Sequence, residues 1–151
     1  MTRPYDIIIA SVKDIEGDRS ARMQAVVDIL WGALCDTGVS WVGFYLPEGD
    51  DEMVLGPRRD KPACSPIGMH GACGQAFRSR KPLVVHDVRD LGRNYIACDP
   101  RDRSELVLPL LGESGNCWGV LDLDSHETGA FDDDDIVGLQ GVLVAAGLTV
   151  T

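Results

Sequence analysis

The chain has 151 residues, 44% hydrophobic and 25% charged, with 14 Lys plus Arg against 24 Asp plus Glu and a formal net charge of −10. That length suits one domain, residues 1–151, able to bury about 70% of its unfolded surface without a metal or a disulfide framework. The acidic balance excludes a phosphate-binding nucleic-acid protein and a polybasic membrane-surface protein, and fits a self-repelling cytoplasmic domain.

In chain order, the apolar run Ile7 to Ala10 is too short for a signal-peptide core. Ser20 reads as the cap of a helix reaching Cys35, with Met23, Val26, Val27, Leu30 and Leu34 at helical spacing. Val39 to Leu46 reads as a strand, turned by Pro47-Glu48-Gly49-Asp50 onto a partner at Met53 to Gly56. A Gly- and Pro-rich loop spans 57–70, and Gly71 to Arg80 forms a short helix. Pro82 to His86 is a third strand, and 87–102 is irregular. Glu105 to Leu111 and Trp118 to Asp124 are two further strands joined by 112–116. Asp132 caps a last helix to Gly147, whose three glycines weaken its intrinsic propensity. The uncharged stretch Ile136 to Thr151 is too short for a bilayer span and reads as buried helix. Adjacent hairpins imply an α+β architecture, an antiparallel sheet with helices packed on one side.

Alternation along strands indicates which side chains share a face. Trp118, Val120, Asp122 and Asp124 look one way, and Gly119, Leu121 and Leu123 the other. Trp41, Gly43 and Tyr45 share a face of the first strand, and Glu105 begins an apolar strand. One reading is a pocket with aromatic walls and a carboxylate floor, suited to a small ligand with an ammonium group. Crowded carboxylates there would raise one another's pKa, so that one could hold and donate a proton. The other reading is the wet face of a half-buried sheet, since alternation is the ordinary signature of antiparallel sheets. The pattern alone leaves both open.

Five cysteines without a CxxC pair argue against both a disulfide framework and a zinc site. Cys64, Cys73 and Cys98 lie in loop-like contexts, where thiols tend to be exposed and reactive, and Cys73 falls in the first turn of a helix, whose dipole would lower its pKa. Cys35 and Cys117 read as structural. Cys64, His70 and Cys73 match no recognised zinc spacing and have no evident fourth ligand, so no metal is expected. His86 reads as a strand-end residue.

Ser40-Trp-Val-Gly-Phe-Tyr-Leu46, Leu55-Gly-Pro57, Lys61-Pro-Ala-Cys64, Gly71-Ala-Cys-Gly74, Ile96-Ala-Cys-Asp99, Ser104-Glu-Leu-Val-Leu-Pro-Leu110 and Gly119-Val-Leu-Asp-Leu-Asp-Ser125 follow one another. This series resembles the free methionine-(R)-sulfoxide reductases, enzymes built on a single GAF domain, over residues 20–145. The resemblance implies a GAF-like sheet of about six antiparallel strands flanked by helices, often as a homodimer. It implies Cys98 as nucleophile, Cys64 as resolving thiol and Cys73 as auxiliary cysteine. Glu105, Asp122 and Asp124 match carboxylates that hold the substrate, and Trp41 and Tyr45 match the aromatic wall at its methyl-sulfinyl end. The expected substrate is free methionine-(R)-sulfoxide, with no cofactor and with electrons from thioredoxin or another dithiol. The rival expectation is a non-catalytic GAF module that senses a small molecule or redox state. Four segments depart from the family pattern: Arg58-Arg59-Asp60, the stretch between Cys64 and Cys73, Asn94-Tyr95, and Pro100-Arg-Asp-Arg103.

Overall fold

Residues 2–151 are described by a computed structural model. Helices α1 (Tyr5–Val12) and α2 (Arg19–Leu34) lead into strands β1 (Trp41–Glu48), β2 (Glu52–Arg59) and β3 (Ile67–Gly68). Helix α3 (Ala72–Ser79), strand β4 (Leu83–Val85) and a 3-10 segment (Val88–Asn94) follow. Strands β5 (Ser104–Leu111) and β6 (Cys117–Ser125) precede helix α4 (Asp133–Ala145). The strands form one six-stranded antiparallel sheet in the order β3-β2-β1-β6-β5-β4.

The sheet has two interiors. On one face, Val42, Phe44, Leu106, Leu108, Leu121 and Leu123 pack against the apolar stripe of α2 and against Leu139, Val142 and Leu143 of α4. On the other, Trp41, Tyr45, Val107 and Val120 pack against Ala72, Cys73 and Ala76 of α3. The one-sided helix layer expected from the sequence is therefore corrected: α3 covers the second face. A period-two pattern cannot distinguish a face open to water from one roofed by a short helix.

Three local readings change as well. The cap of α2 is Asp18, whose side chain accepts from the Ala21 amide at 2.9 Å, two residues before the predicted Ser20. Trp118 does not share the face of Asp122: Leu110 pairs with Gly119 and Leu111 with Cys117, so Trp118 is the extra residue of a bulge. Its ring joins the α2 side of the sheet, with the Arg19 guanidinium 3.9 Å from its centroid. Helix α1, unforeseen, buries Ile8 and Val12 one turn apart. It docks where α4 has no side chains: a Cβ on Gly141 would sit 2.9 Å from Ile9 Cδ1, and one on Gly138 would overlap the Tyr5 ring. The glycines that weaken α4 by propensity are the seat of α1.

The N-terminus of α4 is tied by charge. Asp132 and Asp135 form a capping box, and buried Asp135 also takes both carboxylate contacts of Arg3 at 2.9 Å and the Tyr5 hydroxyl at 2.6 Å. Arg3 further donates to the Thr37 and Ala130 carbonyls. Both members of the pair are desolvated, so removing one strands the other. Arg3→Ala is expected to lower unfolding free energy by about 3 kcal/mol, read from urea denaturation; a loss within the error of the measurement would show that the pair is not the anchor.

Candidate active site

Strand register assembles the site. Trp41 pairs with Asp124, and Asp124 with Glu105, so three side chains share one row across β1, β6 and β5. Gly43, Asp122 and Val107 form the next row, and Tyr45 stands two residues along β1. Directly opposed side chains have Cβ atoms about 5 Å apart, so the register sets two carboxyls side by side, an arrangement that costs stability unless a proton or cation intervenes. Gly43 leaves room for the neighbouring indole: a Cβ there would lie 2.8 Å from Trp41 Cζ2.

The roof comes from α3 and two loops. Cys73, in the first turn of α3, brings its Sγ within 4.8 Å of carboxylate oxygens of Glu105 and Asp122. The loop before β3 is tethered to the wall: Trp41 Nε1 donates to the Lys61 carbonyl and Tyr45 Oη to the Cys64 carbonyl, both at 2.8 Å. Cys64 is disulfide-bonded to Cys98 on the segment before β5, with Cα atoms 5.5 Å apart, inside the usual range. Together these roof a partly open cavity of about 40 Å³ lined by Trp41, Tyr45, Cys73, Cys98, Glu105, Asp122 and Asp124. That is room for about three waters. The eight residues singled out from the sequence thus converge: seven line the cavity, and Cys64 is bonded to one of them. The wet-face alternative fails for Asp122, which is 4% exposed, while Glu105 and Asp124 are partly buried.

Burial sets the electrostatics. It pushes the Asp122 carboxyl well above the usual range, and the charges of Asp124 and Glu105 add to the effect. Asp124 is raised well above its usual range in the same way, by burial and then by Glu105. Burial also raises Glu105, while hydrogen bonds from Asp122 and Asp124 oppose the rise. Both aspartates therefore hold a proton more tightly than ordinary carboxyls do, and their hydrogen bonds to Glu105 favour its ionised form. Asp122 Oδ1 remains buried without a partner among the described residues. Cys73 reverses its sequence expectation. Burial, followed by the charges of Asp122 and Glu105, holds its thiol well above the ordinary value despite the helix N-terminus. A dipole confined to one turn is outweighed by desolvation beside several acids.

The outer mouth was not foreseen. Asp99 takes Arg101 through two hydrogen bonds of 3.1 Å, Lys61 Nζ at 3.2 Å and His126 Nε2 at 3.3 Å. The Arg101 contact and then those of Lys61 and His126 hold its carboxyl below the usual range, against the opposing effect of burial. Asp102 is 9% exposed and lines both the cavity and this mouth. Burial, with the charges of Asp99 and Glu105, pushes it up to about 7. Tyr95 and Ile96 also close the cavity. The one sequence signal for Asp102 was the three-residue interval Asp99, Asp102, Glu105 after Cys98; a segment without regular structure gives no period to read it by.

Cys64 spends its sulfur on Cys98, so the Cys64, His70, Cys73 set is not assembled. Cys35 and Cys117 are half-buried, and Cys117 donates to the Gly119 carbonyl. No helix among the described residues is long and apolar enough to cross a membrane.

A carboxyl whose pKa is raised on folding supports stability at low pH and withdraws that support as pH rises, because the unfolded chain releases the proton first. Asn at position 122 keeps the shape and does not titrate. Asp122→Asn is therefore expected to be more stable than the parent at pH 8, with the difference shrinking toward pH 5, as read from urea midpoints; an equal difference at both pH values would contradict the upward shift of Asp122.

Comparison with known proteins agrees with this geometry. The GAF domain family matches residues 18–150. The reduced form of fRMsr of Staphylococcus aureus superposes with a TM-score of 0.85 at 34% identity, covering 96% of this chain and 94% of that one. The free methionine-R-sulfoxide reductase from Neisseria meningitidis, solved with its substrate, gives a TM-score of 0.80 at 37% identity over 95% of this chain and 84% of that one. The Escherichia coli protein of that name is 43% identical over 106 residues, which span 69% of this chain and 62% of its own length. With the six-stranded sheet, its acid row and the roofed cavity in place, the chain belongs to the GAF-domain family, in the group that includes the free methionine-R-sulfoxide reductases.

Proposed function

We propose that this chain reduces free methionine-(R)-sulfoxide to methionine, with Cys98 as nucleophile. One observation carries the reading: a cysteine able to form a disulfide lines a roofed cavity floored by Glu105, Asp122 and Asp124. The relatives named for this activity support it.

The chemistry follows from the groups available. The Cys98 thiolate attacks the sulfoxide sulfur while a carboxylic acid of the floor protonates the oxygen. Oxygen passes to Cys98 as a sulfenic acid, methionine leaves, the substrate sulfur gains two electrons and the cysteine sulfur loses two. Cys64 then attacks the sulfenic sulfur. An S–S bond forms, the S–O bond breaks, and water carries away the oxygen with the two thiol protons. Thioredoxin or another dithiol reopens the disulfide by exchange, and no cofactor is required. Cys73, held as a neutral thiol, is a poor rival for either role.

Selectivity for the free amino acid has two physical sources. Acids on the floor answer an ammonium group that a methionine within a polypeptide lacks. The roof of α3 and the two loops also narrows the inner cavity to about 40 Å³, which favours a small substrate.

Cys98→Ser is expected to abolish reduction of the R epimer by dithiothreitol with the fold intact; turnover by that variant would reassign the nucleophile. Cys64→Ser should reduce one equivalent and then stall with thioredoxin as donor, whereas the same stall in Cys73→Ser alone would move the resolving role to Cys73. Asp124→Asn should raise KM at least about tenfold, the scale of a lost charged hydrogen bond; an unchanged KM and kcat would remove Asp124 from the site. Disulfide cycling of the parent without any loss of sulfoxide would favour a redox-sensing module instead.

A further inference from the structure

Glu105 and Asp122 line only the inner cavity, whereas Asp124 is partly exposed and also lines the outer mouth, and each turnover needs a proton at the sulfoxide oxygen and releases one when Cys98 ionises. A path for protons between solvent and floor is therefore required, and this inference rests on the reductase reading. Asp102, like Asp124, lines both the cavity that contains Glu105 and the outer mouth. On its outer side His126 Nε2 lies 3.8 Å from Asp102 Oδ1, and the ring is 37% exposed. We propose that Asp102 and His126 form the proton relay that recharges the Glu105–Asp124 floor, Asp102 acting through those carboxyls.

The surroundings suit a group that changes protonation during turnover. Asp99 on its own segment, Glu105 on β5, and Asp122 and Asp124 on β6 favour a proton on Asp102, while Lys61 and Arg101 oppose it. His126 completes its outer side and Tyr95 its neighbouring wall. The balance leaves Asp102 at about 7, between floor carboxyls raised by burial and Asp99 held low by its cationic partners. Histidine is the usual proton carrier at neutral pH, so a solvent-facing imidazole 3.8 Å from such an acid supplies the outer step once the two close to hydrogen-bond distance. In the cycle, the floor acid gives its proton to the sulfoxide oxygen, Asp102 replaces it, and His126 replaces that of Asp102. The proton lost by Cys98 on ionising balances the one drawn from solvent, and the products remain methionine, the Cys64–Cys98 disulfide and water.

The test is steady-state and single-turnover reduction of the R epimer from pH 6 to 9. Asp102→Asn should lower kcat at least about tenfold at pH 8 with KM within about twofold, and flatten the pH profile. Asp102→Glu should recover most of the rate. His126→Ala should be slow and should be restored by added imidazole, a rescue that no packing role would give. An Asp102→Asn protein with the parental rate and pH profile, or an Asp102→Glu protein as impaired as the Asn variant, would overturn the relay while leaving the reductase reading intact. His126→Ala at the parental rate, or slow and indifferent to imidazole, would also overturn it. A parent that fails to reduce the R epimer would remove the reductase reading and the relay together.

Discussion

Alternate residues of β6 face two incompatible interiors, and that constraint organises the molecule. Leu121 and Leu123 enter the hydrocarbon under α2 and α4, while Asp122 and Asp124 enter the cavity under α3. A slip of one residue would drive two carboxyls into the leucine core and two leucines among the acids, an exchange that no relaxation offsets. The apolar face thus fixes the register that the polar face uses. The acids cost stability where they stand, and the breadth of the leucine, valine and phenylalanine layer opposite them is what lets the fold tolerate that cost.

The roof is held to the same strands. Trp41 and Tyr45 are at once walls of the cavity and hydrogen-bond donors to the loop that carries Cys64. The sulfur pair is therefore aligned to the acid row through the side chains that would contact a substrate. Such shared duty gives rigidity without additional structure, because each aromatic is packed on the sheet and also engaged at its polar tip.

Much of this was legible in the sequence, and the reasons are local. The pairs Trp41/Tyr45 and Asp122/Asp124 could be placed on common faces because regular strands fix alternation, and hydrophobic spacing marked α2. Legibility ended where regularity did. The bulge at Trp118 shifted that residue to the other face, and nothing in its neighbours announces an extra residue. Asp102 and His126 lie in irregular segments, where proximity is set by tertiary closure. The helix α1 was hidden because its partner surface is defined by missing side chains at Gly138 and Gly141, which read from the sequence only as weak helix formers. Cys73 shows a different limit: its place at a helix start was legible, but not the depth of its burial.

Asp99 gathers Lys61, Arg101 and His126 at the outer rim, within reach of water, while the floor lies beneath the roof. Mobile ions screen the first set and scarcely touch the second, since screening acts on exposed charges over about 8 Å at physiological ionic strength. The two layers thus answer salt unequally: added ions weaken the exposed rim pairs, while the inner acids keep most of the proton affinity that burial gives them.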